Sequence, residues 1–198
     1  MDKKNGSDSN GQSELHQVLE QLSGVDVTLS AHADLNSLLQ DSLYQARKFC
    51  HADAGSLYMR YGDILVFEIV QCDTLAREKR LEVFKSFKNF HFPIDKTSLV
   101  GFCVMELRTL IIDDVQGSAY FNAEIDKTVG YTTTTMVALP LINDEGEAIG
   151  CMQLINALSK EGENIGQVVP FDRAKIENLE TMAANIAATI QTMKEKED

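Results

Sequence analysis

Two runs rich in apolar residues, 134–142 and 148–156, are joined by the turn Asn143-Asp144-Glu145-Gly146, with Glu147 completing the connection. So short a polar connection containing glycine leaves the chain one course, which is to turn back and pair the runs as an antiparallel hairpin. A second hairpin precedes it. Ala54 to Tyr61 and Ile64 to Cys72 carry aromatic and β-branched residues, and Gly62-Asp63 between them suits a tight turn.

The remaining segments read as helices and short connectors. Leu15, Val18, Leu19 and Leu22 recur at helical spacing between Ser13 as cap and Gly24 as stop. A second helix opens at Asp34 and places Leu35, Leu38, Leu39, Leu43, Ala46, Phe49 and Cys50 on one face as far as His51. Residues 75–89 read as a weak helix or an irregular connector. Ser98 caps a short helix through Leu107, Leu110 to Asp113 form a short strand, and Asn122 to Val129 hold one or two helical turns ending at Gly130. Residues 157–169 read as a glycine-containing loop, after which Asp172 caps a long final helix. Residues 1–12 have no apolar period and form a tail, so 13–198 is expected to be a single domain. This order predicts an α+β fold, a mostly antiparallel sheet with helices on both faces.

Ile176, Leu179, Ala183, Ile186, Ile190 and Met193 alternate spacings of three and four, the seam of a coiled coil. The expectation is a homodimer through the terminal helices, with Leu15, Val18 and Leu22 adding to a four-helix contact.

Charge narrows the partners. A net charge of -12 with no Lys/Arg cluster repels phosphate backbones and anionic surfaces, so neither nucleic acid nor membrane is expected. No apolar run approaches the roughly 20 residues that span a bilayer, and Met1 to Lys4 lead into polar residues, which predicts a cytoplasmic protein. Cys50, Cys72, Cys103 and Cys151 form no C-x-x-C pair and read as reduced core thiols. His16, His32, His51 and His91 lack ligand spacing, so no metal is expected. Asp113 and Asp114 are strand neighbours that point to opposite faces, which removes them as a catalytic pair.

The strings SLVGFCVMELRTLIIDDV and FNAEIDKTVGYTTTTMVALPLINDEGEAIGCMQLIN resemble the central and C-terminal parts of a GAF domain, above all those preceding cyclic-nucleotide phosphodiesterase and bacterial signalling outputs. The resemblance spans roughly residues 35–190 and is most specific from Asp126 to Asn156. It implies a non-catalytic sensory module with a ligand pocket on one sheet face, roofed by the small helices, and dimerising terminal helices on the other. Carried over by position, Ser56 faces the pocket and Cys72-Asp73 meets a purine edge. Leu99 and Val100 offer helix-start amides to a phosphate. Asp126, Val129 and Thr133 form the lid side, and Gln153 faces the pocket from a late strand. Cyclic GMP or cyclic AMP is the ligand this implies.

The chain departs from cyclic-nucleotide-binding members in three places. Ala157 follows Asn156 where they have lysine, Lys175 and Ile176 stand where they have an acidic pair, and Val129 replaces a hydroxyl. Two other readings stay open: a ligand-free dimerisation scaffold, and a GAF-type methionine sulfoxide reductase, for which Cys103 is the thiol placed near the pocket. No output domain follows Asp198, so a signal passes to another protein, or the chain is part of a longer one.

Overall fold

The computed structural model describes residues 35–80, 82–160 and 165–194. The tail, the helix read from Ser13 to Gly24 and its contribution to a dimer lie outside the described residues.

Helix α1 (Leu35–Cys50) leads into β1 (Ala52–Tyr61) and β2 (Ile64–Cys72), joined at Gly62, whose φ of 59° is the left-handed conformation that glycine adopts without cost. The connector that follows is neither one helix nor wholly irregular. It holds α2 (Asp73–Arg77), α3 (Val83–Ser86), a 3-10 turn at Phe87–Asn89 and a short strand β3 (His91–Pro93) that sequence patterning did not anticipate. Then come α4 (Leu99–Glu106), β4 (Leu110–Ile112), α5 (Glu124–Val129), β5 (Met136–Ile142), β6 (Ala148–Leu158), β7 (Val168–Val169) and α6 (Ile176–Lys194).

The strands form one sheet in the order β3-β2-β1-β6-β5-β4, with antiparallel pairing throughout, and β7 pairs with the end of β6. The expected loop at 157–169 is therefore partly strand. Ser159 N donates to Gln167 O at 2.9 Å and Gly166 takes φ 80°, which folds β7 back along β6. In the β5–β6 turn, Asn143 Oδ1 accepts from Glu145 N at 3.1 Å and from Glu147 N at 2.8 Å, the local bonding that favours Asn in turns.

Both faces of the sheet are covered. Leu57, Met59, Leu139, Leu141, Met152 and Leu154 point toward α1 and α6 and share a buried cluster with Leu39, Leu43, Leu179 and Ile190. On the other face Tyr58, Ala138 and Cys151 meet Leu99, Cys103 and Val104 of α4. Alternation along the strands sorts these residues, because successive side chains leave a strand on opposite sides.

One expectation is corrected by this packing. Ile176, Leu179, Ala183, Ile186 and Ile190 are all buried in the chain's own core, so the predicted seam is occupied by the sheet and α1 and is not available to a second chain. The ambiguity is physical: a stripe spaced by three and four serves either a partner helix or a sheet. Two terminal elements do take unexpected partners. Lys175, at the position of the missing acidic pair, donates from Nζ to Phe49 O at 2.9 Å near the end of α1, where a cation meets the negative pole of the helix. Ile176 joins the core.

Candidate functional site

On the α4 and α5 side the sheet does not pack solid. A cavity of about 730 Å³, its open mouth included, lies between the strands and the segment from Tyr120 to Thr133. Its sheet side comes from β1, β2 and β6: Ala54, Ser56 and Tyr58 at alternate positions, then Val70 and Cys72, then Gln153 and Ile155. Its far side is α5 and the residues flanking it.

Aromatic rings make the sheet side rigid. Tyr58 and Phe67 have centroids 4.5 Å apart, Tyr58 and Phe92 5.6 Å, and Phe67 and Phe87 5.1 Å, spacings at which tilted and edge-on rings attract one another. Tyr58 OH donates to Gln153 Oε1 at 2.6 Å, and Gln153 Nε2 lies 3.3 Å from Met136 Sδ. Burial pushes the Tyr58 hydroxyl well above its ordinary range, so it stays a neutral donor.

The lid is held by short polar ties. Asp126 accepts from Thr133 N at 2.7 Å and Thr133 Oγ1 at 2.8 Å, which closes the chain from α5 into β5. Burial of this carboxyl raises its pKa, against the lowering effect of those two bonds. Arg80 donates to the carbonyls of Val129 and Gly130, where α5 ends and Gly130 turns left-handed at φ 61°. Ser98 Oγ accepts from Gly101 N at 3.0 Å and starts α4 at the cavity rim, as its sequence position implied.

Eight of the nine residues carried over by resemblance line this cavity: Ser56, Cys72, Leu99, Val100, Asp126, Val129, Thr133 and Gln153. Asp73 does not. As the first residue of α2 it turns away from the cavity and pairs with Arg47 Nη2 at 2.7 Å and Lys48 Nζ at 2.8 Å. Burial raises its pKa, but the bonds from Lys48 and Arg47 outweigh that and hold the carboxyl below its usual range. Its neighbour Cys72 takes the inward position and accepts from Leu75 N at 3.5 Å to cap α2.

The aromatic wall went unrecognised in the sequence because Phe87 and Phe92 sit in the connector, where no period assigned a face. A second cluster was also missed. Asp53 Oδ2 accepts from Tyr131 OH at 2.8 Å and Oδ1 from Thr74 Oγ1 at 2.9 Å, while Asn156 Nδ2 donates to Tyr131 OH at 3.0 Å. Tyr131 lines the cavity, so this cluster ties the lid to the start of β1, to α2 and to β6.

The thiols are placed differently from expectation. Cys103 is fully buried and packs in the core beneath α4 without lining the cavity; Cys72 is the thiol at the cavity wall. Burial pushes Cys50 and Cys72 up to about 11, and it raises Cys151 well above its ordinary range, there also through the Cys103 thiol beside it. A thiol near 11 is almost wholly protonated at neutral pH, and the thiolate is the nucleophilic form. With all four cysteines buried, a thiol-reactive disulfide reagent is expected to label none of them on the timescale of minutes until denaturant is added. Fast labelling of one thiol in the native protein would restore the reductase reading.

The comparisons with known proteins agree with this architecture. The family model described as GAF domain matches residues 34–190. A cGMP-specific 3',5'-cyclic phosphodiesterase of Drosophila mojavensis is 28% identical over 134 residues, covering 62% of this chain and 11% of that protein. The phosphodiesterase of the same description from Drosophila melanogaster is 27% identical over 134 residues, again covering 62% of this chain and 11% of the relative. The chain thus spans only about a tenth of the length of these curated relatives. Among solved structures, the GAF domain of a phosphoenolpyruvate-protein phosphotransferase from Coxiella burnetii superposes with a TM-score of 0.70 at 16% identity, over 90% of this chain and 95% of that one. A free methionine-R-sulfoxide reductase from Neisseria meningitidis, solved with its substrate, gives 0.65 at 15% identity over 99% of each chain, a likeness of fold. Family match, sheet order and roofed cavity lead to one conclusion: the chain belongs to the GAF domain family.

Proposed function

We propose that this protein is a non-catalytic sensory module that holds a small, flat molecule in the cavity under α5 and reports its presence through the opposite face of the sheet to a second copy of the chain. The observation that carries the reading is the construction of the cavity. Its sheet side is a set of mutually braced aromatic rings, a surface that stacks on a planar ligand, and its roof is a short helix held by a handful of polar bonds. Such a roof opens and closes at small cost, whereas the sheet beneath does not.

Similarity to phosphodiesterases described as cGMP-specific makes cyclic GMP and cyclic AMP natural first probes, and the start of α4 at the rim supports a phosphate there. The reductase reading draws only on fold likeness and is opposed by the burial of all four thiols, Cys103 included. Reporting to the far side has a path in α1, which sits under β1 and is tied to it by Arg47.

Native mass spectrometry of the purified protein tests the reading. A small molecule retained under gentle conditions and released on denaturation is the expected result. A bare mass, with no ligand from a broad metabolite set raising the melting temperature, would leave a scaffold whose cavity is idle.

A further inference from the structure

The end of α4 breaks two local rules at once. Leu107 N donates to Val104 O and Arg108 N to Cys103 O, both at 3.3 Å, the pair of bonds that commonly closes a helix. That closure favours glycine at its first position, where φ is positive, and an apolar side chain folded back onto the helix at its second. Here the first is Leu107, at φ 50° and 47% exposed, and the second is Arg108. A left-handed leucine is crowded against its own backbone, and an exposed one gains little from burial to offset that. A residue that disfavours the fold on both counts marks a surface shaped by something other than folding.

The neighbours of Leu107 extend the feature. Met105 is 37% exposed, so two of the six large hydrophobic side chains exposed among the described residues stand within three positions. Neither enters a buried cluster. Phe102, three residues before Met105 on the same helix face, is half-buried and stacks on Tyr120 with centroids 4.7 Å apart. Two cations flank its ring: Lys96 Nζ lies 5.9 Å and Arg108 Cζ 5.6 Å from the centroid. Neither is in an ion pair among the described residues. The acid beside Lys96, Asp95, is engaged through Oδ1, which accepts from Thr97 N at 2.7 Å and Thr97 Oγ1 at 2.6 Å. Glu106 is the one opposing charge on α4, which leaves the rim of the patch cationic on a chain of net charge -12.

We infer that the outer face of α4, from Phe102 to Arg108, docks an amphipathic segment of another protein, whose aliphatic side chains cover Met105 and Leu107 and whose carboxylates meet Lys96 and Arg108. Met, aromatic and Arg side chains are the ones enriched at interface centres. Charge decides the occupant. A second copy set face to face would bring two cations against two, with Glu106 alone to oppose them, whereas an acidic segment matches both. A phosphate-lined surface would touch the acid-rich remainder of the chain as well, and two cations are too few to hold it.

Selection of a displayed library of random short peptides on the purified protein tests this. Enriched peptides are expected to combine aliphatic residues with Asp and Glu. A synthetic peptide of the enriched sequence should lose about tenfold in affinity against Leu107→Gly and about tenfold against the double variant Lys96→Glu, Arg108→Glu, while Glu106→Gln should tighten it. Leu107→Gly should at the same time raise the melting temperature by about 3 °C, because glycine takes a φ of 50° without crowding. Gained stability with lost binding is the signature of a side chain displayed for a partner. A melting temperature that stays or falls would show that Leu107 serves the fold and would overturn the inference. So would enriched peptides that are neutral or basic, a peptide whose affinity none of these substitutions changes, or no enrichment at all. Concentration-dependent self-association in sedimentation that Leu107→Gly abolishes would assign the face to a second copy and overturn it equally.

Discussion

Asn156→Ala is expected to cost about 3–4 kcal/mol of stability and roughly 10 °C in melting temperature, more than any methyl-scale change in the core. The residue is 4% exposed, and its side chain bonds in every direction open to it. Oδ1 accepts from Thr134 N at 2.8 Å and Thr135 N at 3.2 Å, while Nδ2 donates to Thr132 O at 2.7 Å and Tyr131 OH at 3.0 Å. Alanine would strand buried amides and carbonyls that were desolvated on the promise of these partners. It would also hold φ near 55°, which costs an alanine about 1 kcal/mol and which asparagine tolerates.

Asn156→Gly separates the two causes, since glycine relieves the backbone and restores no bond. It should recover about 1 kcal/mol of the loss and no more. Urea unfolding followed by circular dichroism measures all three proteins. A loss below 1 kcal/mol for alanine would show that the 131–135 segment holds itself. The loss also has a functional side, because the same bonds seat Tyr131 and Thr133 at the cavity, so ligand affinity should fall beyond what stability explains.

Asn156 shows what sequence reading can and cannot reach. Its place at the end of an apolar strand was legible, and so was its membership in the most specific stretch of the resemblance. Its conformation was not. The left-handed turn at Asn156 breaks the alternation of β6, so Gln153 and Ile155 face the cavity while Ala157 joins the helix-side core. A period of two predicts faces only while the strand stays regular. The hairpins, the capped start of α4 and the glycine end of α5 were readable because each depends on residues within four positions. The aromatic wall depends on β3 pairing with β2, a contact between segments with no local signal. The residues carried over by resemblance line the cavity where a strand or helix sets the side-chain direction. Asp73 does not, because the strand has just ended and its side chain pairs with Arg47 and Lys48 at the start of α2.

The helix seam failed for a different reason. Its spacing was read correctly, yet spacing is silent about what lies opposite. Here the sheet offered Leu139, Leu141 and Met152 as the complementary surface, and a stripe already buried against its own chain has nothing left for a partner.

Arg47 is the residue on which the link between α1 and the cavity side turns, and its removal is the second large effect expected. It occupies the buried stripe of α1, four residues after Leu43, where a charged side chain is seldom found. Only 2% of the side chain is exposed. Room for it comes from Gly55 on β1: a Cβ there would stand 3.0 Å from Arg47 Cγ and Cδ. The guanidinium then reaches Asp53 O at 2.6 Å, Gln71 Oε1 at 3.1 Å and Asp73 Oδ1 at 2.7 Å, gathering the start of β1, the end of β2 and the start of α2 on one planar group. Asp73 is 43% exposed, so its share of the energy is screened and small. The carbonyl, the amide and the packed stem carry the rest. Arg47→Ala should therefore cost about 3 kcal/mol, from a cavity plus acceptors left without a donor. Asp73→Asn should cost less than 1 kcal/mol. Arg47→Met is the informative contrast. It keeps the stem and removes a charge whose Nε has no partner, so it should recover about half of the alanine loss. If alanine and methionine proved equally damaging in urea unfolding, the hydrogen bonds alone would hold α1 to the sheet. If Asp73→Asn matched either of them, the exposed ion pair would have to carry the link, and the path from α1 to the cavity wall would run through α2 instead of β1.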